Sequence, residues 1–125
     1  MEITPGNNDV TSFSAYVAYD GKNAPARVAL CNNYWDLSVG TDRPSLTVAL
    51  DGLPSTLTSA TVKYLTNPGG AVQNADNTTF GGSQWTYGSQ GKEVTGVQST
   101  TITVFVVGGS AQIPILDSAV AIVYL

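Results

Sequence analysis

Residues 13–31 read FSAYVAYDGKNAPARVALC, and the two ends of that stretch decide the fold. Phe13, Ala15, Val17 and Tyr19 alternate with Ser14, Tyr16 and Ala18, so the period is two, with one apolar face and one mixed face. The cluster Asp20-Gly21-Lys22-Asn23 turns the chain, and Arg27 to Cys31 reads as a second strand, the pair forming a hairpin with a longer loop. The same alternation recurs downstream. Leu46, Val48 and Leu50 mark a third strand that ends at Asp51-Gly52-Leu53-Pro54, and Ala60 to Leu65 a fourth that stops at Asn67-Pro68-Gly69-Gly70. Thr100 to Val107, Gln112 to Leu116 and Ala119 to Leu125 complete the regular strands, with a turn at Gly108-Gly109-Ser110. Helix signals are almost absent, while Thr, Val and Tyr crowd these segments and favour pleated surfaces. Strands at this spacing predict an all-β fold, an antiparallel β-sandwich of about eight strands, with residues 1–125 forming a single domain.

Two regions depart from simple alternation. Residues 66–99 are rich in Gly, Asn, Gln, Ser and Thr, too long for a structureless loop, and short strands are expected around Thr78–Phe80 and Trp85–Tyr87. The final run, Ala119-Val120-Ala121-Ile122-Val123-Tyr124-Leu125, is apolar on both faces, as in a central strand or one whose outer side meets another domain.

Composition narrows the function. With 42% apolar residues and a net charge of −4, the chain has the makings of a core. Its five Lys and Arg, scattered singly, make no footprint for nucleic acid. No stretch approaches the roughly 20 apolar residues that cross a bilayer as a helix. Only 11% of residues are charged, and such uncharged polar surfaces point to an extracellular, secreted setting, although Met1–Pro5 has neither the basic nor the apolar region of a signal peptide. Cys31 alone forms no internal disulfide, and its apolar neighbours read as a small buried hydrophobe.

The chemistry that the chain lacks is equally informative. It has no His, which removes Ser–His and Cys–His nucleophile systems and every His metal site, so neither a metal nor a cofactor is expected. Carboxylate catalysis would need a paired set, yet of the nine acids Asp9, Asp20, Asp51 and Asp76 sit beside Gly or Asn, where Asp serves turns, and the rest are scattered singly. The chain is therefore read as no enzyme. Asn77-Thr78-Thr79 forms an N-glycosylation sequon. Tyr34, Trp35 and Asp36 follow the second strand, and Trp85 and Tyr87 lie in the Gly-rich region; rings beside amides and carboxylates are the usual makings of a carbohydrate site. The same rings serve equally as core plugs or as part of a domain interface, and that reading ranks first.

Taken in order, Ser14–Asp20, Ala26–Asn32 with Tyr34-Trp35, Asp42–Val48, Val62–Gly70, Thr79–Gln84 and Ile113–Val123 resemble the C-terminal β-domain of family-79 glycoside hydrolases, the β-glucuronidase and heparanase group, fungal members especially. The chain departs from that pattern at Cys31, where an aliphatic residue is typical. The resemblance implies a non-catalytic accessory domain: in that family the two catalytic glutamates lie on a (β/α)8 barrel, which the β-domain packs against and supports, so no catalytic residue carries over. The alternative is a free-standing, lectin-like fungal protein that binds carbohydrate through Tyr34, Trp35, Trp85 or Tyr87. The partners expected are thus a partner domain, a second copy of the chain, or a glycan.

Overall fold

A computed structural model describes residues 1–6, 11–34, 43–68, 75–95, 97 and 100–125. Among these residues eleven strands in two antiparallel sheets make a sandwich, as the alternating pattern requires. The smaller sheet has the order β1-β4-β10, built from Glu2–Pro5, Ser45–Asp51 and Ser110–Leu116. The larger one runs β2-β3-β11-β5-β6-β7-β8, with β9 also paired to β5. Its main strands are β2 (Phe13–Tyr19), β3 (Pro25–Asn32), β5 (Ser59–Thr66), β9 (Thr101–Phe105) and β11 (Ala119–Tyr124). Three short strands, β6 (Thr79–Phe80), β7 (Ser83–Trp85) and β8 (Glu93–Val94), extend it on one side.

Register explains which residues fill the core. Ala121 stands opposite Leu30 on one side and Tyr64 on the other, and Val123 lies opposite Val28 and Val62. These side chains meet Leu46, Val48 and Leu50 of β4 and Ile113 and Ile115 of β10 across the gap between the sheets. Leu30, Leu50, Ile113 and Ile115 are fully buried. β11 is indeed central, paired with β3 along one edge and β5 along the other, and its outward residues Val120, Ile122 and Tyr124 are all half-buried.

The turns follow from local chemistry. The Asp20 carboxylate accepts from the backbone N–H of Lys22 (2.8 Å) and of Ala24 (2.9 Å), closing the β2–β3 loop. Val107 and Ser110 exchange backbone hydrogen bonds across Gly108 and Gly109, which sit at φ 59° and 78°, the two positive values that a tight primed turn demands. This hairpin carries the chain from the larger sheet into the smaller, and Asp117-Ser118 carries it back. Both edges of the smaller sheet hold a proline, Pro5 in β1 and Pro114 in β10.

Three expectations change. Glu2–Pro5 is a strand, formed because β4 has a free edge that Ile3 can reach opposite Leu50. The strand expected at Trp85–Tyr87 lies earlier, at Ser83–Trp85, because the chain turns at Thr86: its N–H donates to Ser89 Oγ, and Ser89 N–H donates to Thr86 Oγ1. Cys31 is half-buried on the outward side of the larger sheet, opposite Ser14 and Val120, since the inward places on either side of it belong to Leu30 and Asn32. The core assignment predicts that Leu30→Ala lowers stability by about 2–5 kcal/mol, read as a shift in the urea midpoint at unchanged slope.

Candidate functional site

The residues singled out in the sequence fall at two separate places. Tyr34 leaves β3 at one end of the sandwich and is half-exposed. Its backbone is held from both sides: its N–H donates to Asn32 Oδ1 (3.2 Å), and its carbonyl accepts from Ser118 N–H (3.1 Å) and Ser118 Oγ (2.9 Å). Asn32 is buried and donates through Nδ2 to the buried carboxylate of Asp117 at 2.8 Å, while Asp117 N–H donates to Pro44 O. A turn acid therefore anchors the strand that presents Tyr34. Trp35 and Asp36 lie outside the described residues.

Trp85 and Tyr87 belong to the β6–β8 extension. Between β3 and β7 the sheet order places β11, β5 and β6, so at the usual strand spacing Tyr34 and Trp85 are separated by about 19 Å. They cannot share one small ligand. Around Tyr87 the structure gathers Asp76 and Gln84: Tyr87 N–H donates to Asp76 Oδ1 (3.2 Å), and Gln84 Nε2 donates to Asp76 O. The Tyr87 ring is 94% exposed, beside a shallow hollow lined by Gly88, Gln90 and Gly91. Asn77 is exposed on a 3-10 turn over Ala75–Asn77. Trp85 stands opposite Glu93, and Ser83 Oγ donates to Glu93 Oε1.

Two features were not visible in the sequence as sites. Arg43, only 7% exposed, crosses to β5, donating from Nη1 to Asn67 O (2.9 Å) and from Nη2 to Thr66 Oγ1 (2.8 Å), while its Nε has no hydrogen-bond partner among the described residues. Next to it an apolar cleft of about 350 Å3 opens between the β10 edge and the larger sheet, lined by Tyr64, Thr66, Ile102, Pro114 and Leu116 among others. The Tyr64 hydroxyl spans the cleft, donating to Pro114 O at 2.5 Å. Period-two reading puts Tyr64 on the core face; it could not show that the free carbonyl of an edge strand would lie within reach. Among the described residues no cluster of three His, Cys, Asp or Glu could hold a metal.

Burial pushes the Tyr64 hydroxyl up to about 12 from 10.0. A folded value raised above the unfolded one gives stability that is complete below pH 10 and lost as pH climbs toward 12. Thermal melts between those limits should show a fall in Tm that is shallower in Tyr64→Phe, which has no proton to lose.

Comparison with known proteins accords with this architecture. The model of the glycosyl hydrolase family 79 C-terminal beta domain matches residues 15–122. Among solved structures, a 4-O-alpha-L-rhamnosyl-beta-D-glucuronidase from Fusarium oxysporum 12S, solved as its Rha-GlcA complex, superposes with a TM-score of 0.75 at 30% identity, over 98% of this chain and 26% of that one. This chain thus spans about a quarter of the length of that enzyme. A comparison with curated proteins finds no match.

Proposed function

The chain belongs to the glycosyl hydrolase family 79 C-terminal beta domain family, and from that premise we propose that it is a non-catalytic accessory domain which supports a catalytic partner domain. The observation that carries this reading is the extent of the match: nearly the whole chain aligns with only 26% of the glucuronidase, leaving the greater part of that enzyme without a counterpart here. The absence of His and the use of acids in turns and anchors agree with it. A domain of this kind acts by burying surface of its neighbour, which raises the barrier to unfolding of the whole.

The test is a chimera in which this chain replaces the β-domain of the Fusarium enzyme. Glucuronidase activity of the chimera should survive heating about tenfold longer than that of the enzyme deprived of any β-domain, and the isolated chain should hydrolyse no glucuronide. Equal half-lives, or turnover by the isolated chain, would reject the proposal.

A second reading, glycan recognition, rests on Tyr87, whose ring is almost fully exposed yet whose backbone is tied to Asp76 and to a cross-bonded Thr86–Ser89 turn. A rigid exposed ring beside amide groups suits stacking on a sugar face. On a glycan array this reading expects binding, competed by free sugar, that weakens about tenfold in Tyr87→Ala. Silence across the array at high protein concentration removes it.

A further inference from the structure

The outward side of the larger sheet is unusually apolar for a surface that faces water. Antiparallel sheets with one solvated side normally place polar residues there. Here the register sets Tyr16 opposite Ala29, Ala29 opposite Ile122, and Leu65 opposite both Val120 and Phe80. Ser83 follows opposite Phe80, and Trp85, two residues on, points to the same side. Phe105 also lies outward, because its neighbour Val104 is buried against Ala60. Of these, Phe105 is 78% exposed and Tyr16 65% exposed, with Trp85 and Leu65 close to half. A hollow of about 300 Å3 between Tyr16, Ile122 and Tyr124 gives the face relief. Aromatic rings in such numbers mark a protein interface rather than a wetted surface.

The charge on this face has one sign at its centre. Arg27 lies over the Tyr124 ring from one side, 5.2 Å from its centroid, and Lys63 from the other at 5.6 Å. These are two of the five cations in a chain of net charge −4, brought to one ring by strands β3 and β5 flanking β11. Glu93, opposite Trp85, stands at the β8 border of the same face, so two copies set centre on centre would oppose like charges, whereas an apolar surface that carries a carboxylate complements the centre.

Resting on the accessory-domain reading, we propose that this outward face is the seat of the catalytic domain, with Tyr16, Ile122, Phe105 and Trp85 as apolar anchors and the Arg27–Tyr124–Lys63 stack receiving a carboxylate of the partner. The interface is thereby assigned to one side of one sheet, leaving the cleft at Tyr64 and the hollow at Tyr87 outside it.

The chimera with the Fusarium enzyme distinguishes this assignment from the reading beneath it. Two variants are compared with the unmodified chain, Tyr16→Ser with Phe105→Ser, and Arg27→Glu with Lys63→Glu. In the isolated chain both should keep the β-sheet circular dichroism and an urea midpoint close to the parent. In the chimera each should shorten the half-life of glucuronidase activity on heating by about tenfold. Unchanged half-lives in both variants, with a long-lived parent chimera, would overturn the face and leave the accessory role standing. A parent chimera no longer-lived than the enzyme without a β-domain would overturn both. Sedimentation showing a dimer of the isolated chain that Tyr16→Ser with Phe105→Ser dissolves would give the face to a second copy and overturn the assigned occupant.

Discussion

The pairing of β11 along both of its edges is the constraint on which the rest of the molecule depends. Its inward residues, Ala119, Ala121 and Val123, are small enough to let the smaller sheet close over them, and its backbone knits β3 to β5. Remove that strand and the larger sheet falls into two pieces, with the β2–β3 hairpin on one side and β5 with its short neighbours on the other. Because β11 is reached through Asp117-Ser118 directly from β10, the same strand also ties the two sheets together by the shortest covalent path. The Asn32–Asp117 hydrogen bond locks that passage from the side of β3. Placing a carboxylate in a buried position is costly unless it is satisfied, so the donor from Asn32 and the crossover stand or fall together.

Most of the sandwich was legible because its strands are half-buried, and half-burial writes itself as alternation. β2, β3, β4 and β5 were found within a residue or two of their ends. β1 was not, since Glu2-Ile3-Thr4-Pro5 is too short to show a period and is a strand only because β4 offers it an edge. β8, two residues long, owes its existence to Trp85 and Gln84 on the partner strand in the same way. Long-range pairing of this kind leaves no local trace.

The candidate site was legible in residue type and not in arrangement. Tyr34, Trp85 and Tyr87 were singled out by type, with core or interface ranked ahead of a sugar site; that all three are exposed, and that the sheet order parts Tyr34 from the other two, depends on which strands lie between them, a matter of topology. Asp117 was not singled out in the sequence; that it turns inward to Asn32 follows from the crossover between sheets. The doubly apolar pattern of the last strand allowed two explanations, centrality and an outer contact, and they turn out not to compete: β11 is central, and the face it contributes to is the apolar one.

The prolines at both edges of the smaller sheet bear on how this molecule meets others. Pro5 and Pro114 each delete a donor from a border strand, and the Pro114 carbonyl is already taken by Tyr64. A foreign strand arriving at either border finds an incomplete ladder, so growth by strand addition is blocked there. At the smaller sheet recognition is thereby left to side chains, which discriminate between partners, rather than to backbone hydrogen bonds, which accept any extended chain. The smaller sheet is in this way kept from polymerising through its own borders, whatever its apolar neighbour sheet exposes.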